Sequence, residues 1–584
     1  MIRLLPLRLR ETLRSIDWLA RLYRKYVINM PLDGSYDEIV AHQQVMLDKV
    51  EGNNDISISL IVPTYNPDLS LFKKMIQSVC NQSHLNWQLV IVDDASHNES
   101  LSAYLSELKS DERIAVVERE TNGHISAASN SGLSVATGDY IALLDHDDEL
   151  HIHALKAMSA AITKTPTAQV LYSDEDKFNH KGQRVSPHFK PKWNPDLLYS
   201  MNYVSHLGLY QRDLVMKVGG FREGYEGSQD YDLLLRCVKL CQASDIIHVP
   251  YVLYHWRALR GSTAFAESEK SYSENAGLRA LQDHVSSSGA NVELGLLPNT
   301  YKVNWPLPDS KPLVSIIIPT KNGKALVEQC IQSVYEKNNY AEFEVLLVDN
   351  QSDEKESIDY FSLLESQGKI RLLSFPHAFN YSAINNYAVS EARGSIVVLM
   401  NNDIEVISEN WLSEMVSLVS RDEVGCVGSK LYYPNGKIQH GGVIIGLGGV
   451  AGHSHKYFPK NSPGYFKRLK VVQNLSAVTA ACLAVRKSVF LEVGGLNEES
   501  LTIAFNDVDF CLKVQAKGYY NVWSPYVEMV HHESISRGAE DTPEKQARFT
   551  SEVNFMKTSW GDNLLHDPCY SEWLTLDRED FTFR

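Results

Sequence analysis

At residues 139–149 the chain reads Asp139-Tyr140-Ile141-Ala142-Leu143-Leu144-Asp145-His146-Asp147-Asp148-Glu149. The apolar run from Tyr140 to Leu144 predicts a buried strand, because short apolar runs between polar residues are typical of such strands. Carboxylates follow directly, at the end of the strand where open α/β sheets bind ligands. Asp145 and Asp147 together can hold one Mg²⁺ ion, which proteins typically bind with carboxylates plus phosphate oxygens. The pattern therefore predicts a divalent cation held against a phosphorylated substrate.

Composition sets the broad limits. A chain of 584 residues is too long for one core and predicts several domains. The net charge of −16 argues against a general nucleic-acid binder, which normally carries a basic field. The eight cysteines form no C-x-x-C pair, which predicts reduced thiols and a cytoplasmic location rather than a disulfide frame. We expect no membrane-spanning helix and no secretory signal.

Residues 1–28 differ from the rest of the chain. Apolar residues recur there at helical spacing, and seven basic residues face only two acidic ones. One interpretation is an amphipathic helix lying on the anionic surface of the inner membrane. The other is a helix packed on the first domain, with its arginines in solvent. Residues 30–55 are polar and are interpreted as a connector.

From Ile58 onward, strands alternate with helices, which predicts a parallel sheet with right-handed crossovers. The same residues then return 256 positions later, in the pairs Pro63/Pro319, Asp93/Asp349, Asn130/Asn386, Gly138/Gly394 and Asp147/Asp403. A constant spacing over so many positions indicates a duplicated domain. The spacing grows to 275 at Gly219/Gly494 and to 277 at Asp230/Asp507, so the second copy has extra residues at about 430–475.

A second acidic cluster, Asp174-Glu175-Asp176, competes as the metal site. Its counterpart in the second copy, Lys430-Leu431-Tyr432, has no carboxylate, whereas Asp147 returns as Asp403. We therefore predict the metal site at Asp145 and Asp147. The competing interpretation of these residues is an acidic turn that caps the next helix.

Several motifs, taken in order, resemble the family 2 glycosyltransferases with the GT-A fold. In the first copy they are Pro63-Thr64-Tyr65-Asn66, Val92-Asp93-Asp94, Leu144-Asp145-His146-Asp147-Asp148, Gly219-Gly220-Phe221 and Gln229-Asp230-Tyr231-Asp232. In the second they are Pro319-Thr320-Lys321-Asn322, Val348-Asp349-Asn350, Asn401-Asn402-Asp403, Gly494-Gly495-Leu496 and Asn506-Asp507-Val508-Asp509. The resemblance covers residues 56–300 and 312–540. It implies an α/β chain with two tandem GT-A domains, Rossmann-like with mostly parallel sheets.

The resemblance also implies a role for each matching residue. The catalytic bases would be Asp230 and Asp507. The metal ligands for Mg²⁺ or Mn²⁺ would be Asp145, Asp147 and Asp403, with His255 and His531 as candidates to complete the shell. The nucleotide would contact Pro63, Tyr65, Asp93 or Asp94, Pro319 and Asp349. Purely structural roles are the alternatives: Asp230 can cap a helix, and a lone histidine often serves only as a structural hydrogen-bonding group.

The predicted protein is a bifunctional, inverting, metal-dependent glycosyltransferase that extends a lipid-linked surface glycan such as O-antigen or capsule. Its donors would be UDP-, dTDP- or GDP-sugars. We divide the chain into a helix and connector (1–55), a first GT-A domain (56–305), and a second with a C-terminal tail (306–584). A processive polymerase of a two-sugar repeat is one alternative. Another is a non-catalytic, glycan-binding second domain, since Asn401 stands where the first copy has Asp145.

Overall fold

A computed structural model describes residues 35–257, 267–532 and 542–584, with side chains at 267–271 left out. The predicted amphipathic helix at residues 1–28 lies outside these ranges. The described chain forms two compact units, a first domain of residues 35–304 and a second domain of residues 305–582. In the described parts of the chain, no helix is both long enough and apolar enough to cross a bilayer.

The first domain is built around one sheet with helices on its faces. Its helices are α1 (Tyr36–Asp48), α2 (Leu69–Cys80), α3 (Glu99–Leu108), α4 (His124–Val135), α5 (Ala154–Lys164), α6 (Pro195–Ser200), α7 (Arg212–Lys217), α8 (Gln229–Val238) and α9 (Glu267–Val285). Its strands are β1 (Ile58–Thr64), β2 (Trp87–Asp93), β3 (Ile114–Glu118), β4 (Tyr140–Leu143), β5 (Glu149–Leu150), β6 (Val170–Phe178), β7 (Arg184–His188), β8 (Gly208–Gln211), β9 (Ile246–Arg257), β10 (Asn291–Leu294) and β11 (Tyr301–Asn304).

The second domain repeats this arrangement. Its helices are α10 (Lys324–Glu336), α11 (Lys355–Ser366), α12 (Tyr381–Glu391), α13 (Trp411–Val419), α14 (Lys487–Glu492), α15 (Asn506–Ala516) and α16 (Pro543–Trp560). Its strands are β12 (Val314–Thr320), β13 (Phe343–Asp349), β14 (Arg371–Ser374), β15 (Ile396–Met400), β16 (Ile404–Val406), β17 (Val424–Tyr432), β18 (Ile438–His440), β19 (Val443–Ile445), β20 (Ala451–His453), β21 (Gln473–Leu475), β22 (Cys482–Arg486) and β23 (Tyr520–His531).

The two large sheets share one strand order. In the first domain it is β3-β2-β1-β4-β8-β6-β9-β5, and in the second it is β14-β13-β12-β15-β22-β17-β23-β16. Strands β1 to β4 are parallel to one another, and β8 is antiparallel to both its neighbours. The carboxyl ends of β1, β2 and β4 therefore meet at one edge. The prediction of mostly parallel α/β sheets is confirmed.

The residues that repeat 256 positions apart make the same contacts in both domains. Asn130 exchanges two hydrogen bonds of 2.8 Å with the backbone of Phe221, and Asn386 does the same at 2.9 Å with Leu496. At Gly138, a Cβ atom would lie 2.6 Å from the backbone nitrogen of Ser59, so only glycine fits. Gly394 stands equally close to Ser315. The duplicated spacing thus records duplicated packing.

Residues 36–48, interpreted above as part of a connector, instead form α1 and belong to the first domain. Ser35 and Glu38 form a capping box at its start, in which each side chain bonds the other's backbone. Ile39 and Leu47 are buried. The helix is therefore a structural part of the first domain.

Candidate functional site

Of the carboxylates after β4, Asp148 is held by hydrogen bonds within the fold, and Asp145 and Asp147 are the candidate metal ligands. Asp148 is buried and accepts hydrogen bonds from the Tyr254 hydroxyl (2.6 Å) and the Arg257 backbone nitrogen (2.7 Å). Asp145 is partly exposed, and Asp147 follows two positions later. Burial raises the pKa of Asp147, and the nearby Asp145 carboxylate raises it further. Two carboxylates that repel each other are a donor set that a divalent cation fits.

A histidine that the sequence motifs did not indicate stands beside these carboxylates. The His206 imidazole stacks on Tyr254 with ring centroids 4.5 Å apart, and its Nε2 lies 3.9 Å from Asp145 Oδ2. Asp230 accepts a 2.8 Å hydrogen bond from Asn202. Burial raises the pKa of Asp230, whereas His206 opposes that shift. The structure thus brings Asp230 and Asp145 into the neighbourhood of His206.

The alternative role for Asp230 as a helix cap does not match the structure. The N-cap of α8 is Ser228, and Asp230 is the second residue inside the helix. The next acidic residue, Asp232, is buried and pairs with Arg222 and with Arg236. Asp232 therefore holds the helix in place through its ion pairs, whereas Asp230 remains the candidate base.

The structure places His255 with a different cluster from the one predicted. Its Nδ1 lies 2.6 Å from Asp176 Oδ1, and its ring packs on Phe178 with centroids 5.4 Å apart. Side chains alternate between the two faces of a strand, so His255 points away from the face that carries Tyr254. We correct the expectation accordingly: His255 joins the acidic cluster of β6.

The predicted nucleotide residues lie at the ends of β1 and β2. Pro63 pairs with Val92, and the adjacent Tyr65 is exposed. Asp94 is buried and uses both its oxygens, on Arg119 (2.7 Å) and on the Gly123 backbone nitrogen (3.0 and 3.1 Å).

The Asp93 side chain, in contrast, accepts one described hydrogen bond, of 3.2 Å from the Ser96 backbone nitrogen. In the second domain Asp349 accepts the matching bond from Ser352, while Pro319 pairs with Val348. Asn350 replaces Asp94, and its side-chain amide donates to the backbone carbonyls of Phe375 and His377. Of the two alternatives at this strand end, Asp93 is therefore the better candidate.

In the second domain a carboxylate and an imidazole face each other. Asp403 is buried, and its Oδ1 lies 3.1 Å from His531 Nε2. His531 Nδ1 lies 2.8 Å from Gln439 Oε1, which holds the ring in its orientation. Asn401 Nδ2 is 3.3 Å from Nε2 of the same ring. An imidazole nitrogen and a carboxylate oxygen thus meet, and both are groups that ligate divalent cations.

The strand pairing shows that His531 is not the counterpart of His255. Glu149 pairs with His255 and Glu405 pairs with Val530, so His531 corresponds to Trp256. The two domains therefore carry different side chains beside the strand-end carboxylates. Within the described residues, no group of three or more His, Cys, Asp or Glu side chains is placed to hold a metal, so each centre offers at most two such ligands.

The predicted base of the second domain lies at the start of α15. Asp507 Oδ2 accepts a 3.1 Å hydrogen bond from the Ala480 backbone, and Oδ1 accepts one of 2.9 Å from Val508. Burial raises the pKa of Asp507, although these hydrogen bonds oppose the shift. Asp507, Asn401 and His531 line one open cavity of about 410 Å³. Asn401 and His531, which lie at the strand ends, and Asp507 of α15 thus face the same cavity.

The family model for "Glycosyl transferase family 2" matches residues 59–219 and 315–494. Together these regions exceed half of the chain. The chain belongs to this family.

Relatives in curated collections are consistent with that membership. The chain is 51% identical over 529 residues to "Uncharacterized protein y4gI" of Sinorhizobium fredii, covering 90% of this chain and 58% of that protein. It is 36% identical to "O-antigen biosynthesis protein RfbC" of Myxococcus xanthus, covering 90% and 41%. It is 30% identical to "Amylovoran biosynthesis glycosyltransferase AmsB" of Erwinia amylovora, covering 37% and 75%. The chain thus spans about half the length of the first two relatives.

Solved structures show a weaker likeness. "Crystal structure of S. aureus TarS 1-349 in complex with UDP-GlcNAc" is 20% identical with a TM-score of 0.34, covering 39% of this chain and 66% of that one. "Mannosyltransferase PcManGT from Pyrobaculum calidifontis in complex with GDP-Man and Mn2+" is 17% identical with a TM-score of 0.32, covering 43% and 68%.

Proposed function

We propose that each domain of this family 2 glycosyltransferase transfers one sugar from a nucleotide-sugar to a growing bacterial surface glycan. The relatives named for O-antigen and amylovoran biosynthesis support this role. The donor here is proposed to be a UDP-, dTDP- or GDP-sugar. A lipid-linked acceptor and attachment to the inner membrane surface remain predictions.

One observation carries the proposal. In the second domain, Asp507 lines the same cavity as Asn401 and His531, and His531 contacts Asp403. A transferase of this kind needs charge stabilisation for the leaving diphosphate and a base for the acceptor, on opposite sides of the reacting sugar. The arrangement offers a group for each task, and in the first domain Asp145 and Asp230, both close to His206, are proposed for the same two roles.

Asp145 and Asp147 in the first domain, and Asp403 and His531 in the second, are the residues that would hold Mg²⁺ or Mn²⁺. Such an ion, when bound, stabilises the negative charge of a departing diphosphate as a Lewis acid. A centre with two protein ligands is consistent with Mg²⁺ binding, which usually includes substrate phosphates and water.

Asp230 and Asp507 are proposed as the bases of an inverting reaction. The acceptor hydroxyl oxygen forms a bond to the anomeric carbon as the carbon–oxygen bond to the diphosphate breaks. The hydroxyl proton passes to the aspartate carboxylate, and the nucleoside diphosphate leaves. Partial burial that raises the pKa of a carboxylate makes it a stronger base, so the environment of both residues suits this role.

The experiment uses the full chain with a panel of nucleotide-sugars and measures nucleoside diphosphate release and product. We expect Asp230→Asn and Asp507→Asn each to lower one transfer activity by about 10²-fold or more and to spare the other. Asp359→Asn, an exposed position on α11, is the control. If neither variant lowered any transfer activity, the base assignments would be refuted.

The same experiment separates the alternatives. A polymerase gives long products in the wild type and stops after one addition in either variant. A non-catalytic second domain, which Asn401 still motivates, leaves Asp507→Asn as active as the wild type. Our proposal requires two donor-specific losses, one in each variant.

A further inference from the structure

Helix α16 begins well after the second region that matches the family, which ends at residue 494. Glu552, in the middle of this helix, is only 2% exposed. Its Oε1 accepts hydrogen bonds from the Thr502 hydroxyl (3.2 Å) and from the backbone nitrogens of Ile503 (2.9 Å) and Ala504 (3.3 Å). A buried carboxylate with three donors from one loop fixes that loop against the helix.

The far end of α16 is fixed on the other side of the proposed base. Trp560 Nε1 donates a 3.0 Å hydrogen bond to Asp509 Oδ1, and Lys513 lies 3.0 Å from the second oxygen of that carboxylate. Helix α16 therefore contacts the chain on both sides of Asp507 in the sequence, at residues 502–504 and at Asp509. It forms a fixed wall of the site rather than a separate tail.

Two phenylalanines meet where this wall reaches the cavity. Phe549 lies one turn before Glu552, a spacing that places both on the same side of α16. Its ring centroid is 5.6 Å from that of Phe505, with an interplanar angle of 36°. Both rings line the cavity that contains Asp507, and Phe549 is 42% exposed. A ring this exposed adds little to the core, and its place beside Asp507 leaves it available to contact a ligand.

The backbone at Phe505 strengthens this argument. Phe505 is the N-cap of α15 and has a φ of 59°, a left-handed conformation that favours glycine. Bulky residues held in such a conformation cluster at functional sites. Phe505 lies two positions before Asp507 in the sequence, so this unusual backbone conformation adjoins the proposed base.

We propose that Phe549 and Phe505 form the binding platform for the acceptor sugar of the second domain, which deepens the proposed transferase function and rests on it. A pyranose ring has an apolar face of C–H groups and a rim of hydroxyls. The aromatic faces contact the C–H groups, while polar groups of the same cavity, Gln439, His453 and Lys456, can bond the rim. The occupant is thus a neutral hexose or deoxyhexose at the end of a glycan.

The first domain differs at the corresponding position. Ser228 stands in place of Phe505, and its hydroxyl donates a 2.8 Å hydrogen bond to the Ser273 carbonyl of α9. Tyr272 of the same helix bonds Glu226 at 3.2 Å. The pair of phenyl rings is therefore found in the second domain, where the first domain has Ser228 and Tyr272.

The test measures glycoside binding by ligand-observed saturation-transfer NMR, with a panel of methyl pyranosides of glucose, galactose, mannose, rhamnose and N-acetylglucosamine. The proteins are the wild-type chain, Phe549→Ala, Phe549→Tyr and Leu363→Ala. Leu363 is 50% exposed on α11 and serves as the matched control. Nucleotide release from the donor panel without acceptor is measured in parallel.

We expect at least one glycoside to receive saturation from aromatic protons in the wild type. That signal should fall at least fivefold in Phe549→Ala but persist in Phe549→Tyr and Leu363→Ala, with donor turnover unchanged in Leu363→Ala. The platform is overturned if no glycoside binds the wild type, or if Phe549→Ala binds it equally well. If instead the wild type turned over none of the donors but still bound a glycoside through Phe549, the proposed function would be rejected and the platform would stand.

Discussion

Lys430 offers a measurable test of how the second domain tolerates a buried charge. It lies fully buried on β17, and its Nζ donates a 2.9 Å hydrogen bond to the Leu469 carbonyl. Burial lowers the pKa of Lys430 to about 7 from its ordinary value of 10.5, with Lys470 adding to the shift and Glu528 opposing it. The folded chain therefore releases a proton that the unfolded chain still holds between these two pH values.

This difference makes stability depend on pH. Between pH 7 and 10 the unfolded chain binds more protons at this position, so the free energy of unfolding rises with pH. At about 1.4 kcal/mol per unit, three pH units contribute about 4 kcal/mol. In Lys430→Met this contribution disappears, while the Leu469 carbonyl loses its donor at a cost of about 1–2 kcal/mol. We expect the variant to be more stable than the wild type at pH 6.5 and less stable at pH 10.

The assay is the thermal midpoint of the full chain at half-unit pH steps, for the wild type and for Lys430→Met. With an unfolding entropy of about 2.1 cal/mol/K per residue, a change of about 4 kcal/mol in the domain of residues 305–582 corresponds to a relative shift of about 7 °C across the range. Phe549→Ala, at an exposed position, should run parallel to the wild type. Parallel curves for Lys430→Met and the wild type would show that Lys430 does not titrate in this range, and would refute the reasoning.

Two further predictions concern the carboxylates. Asp232→Ala removes a buried partner of Arg222 and Arg236 and should lower the free energy of unfolding by about 2–4 kcal/mol, read as a loss in thermal midpoint. Asp111→Ala, whose pair with Arg113 is exposed, should cost less than about 1 kcal/mol, and equal losses in the two variants would contradict this. Gln439→Leu removes the group that orients His531, so the Mn²⁺ concentration for half-maximal activity of the second domain should rise about 10–100-fold, whereas an unchanged requirement would exclude His531 as a ligand.

The duplicated architecture could be predicted from sequence because the repeat has a structural cause at each position. Asn130 and Asn386 hold the turn that carries Gly220 or Gly495, and Gly138 and Gly394 allow two backbones to approach. The spacing of such residues is fixed by contacts that both sheets need. The α/β class and the duplication could therefore be predicted from these residues, whereas the strand order came from the structure.

Two errors have equally physical causes. His255 and His531 occupy similar motifs, but β9 and β23 are paired so that Trp256 matches His531. A shift of one residue along a strand turns a side chain to the other face, and sequence spacing does not fix that shift when the motifs differ in length. Helix α1 was missed although its Ser35 and Glu38 carry a capping signal, because few apolar residues follow them.

The sequence motifs also failed to indicate His206 and Phe549. His206 reaches Asp145 from a loop, and no local pattern predicts which loop residue returns to a strand end. Phe549 lies in a helix whose sequence is mostly polar, so its partner Phe505 could be found only from the tertiary structure. Sites assembled from distant segments are therefore seen only partly in motifs, which report on the segments one at a time.

The left-handed conformation at Phe505 has a consequence for engineering. Glycine there would relieve backbone strain, and a screen that rewards heat resistance alone would tend to select it. The more robust enzyme would then lack one of its two phenyl rings at the acceptor. Variants chosen for durability should therefore be checked at this position before they are used to build glycans.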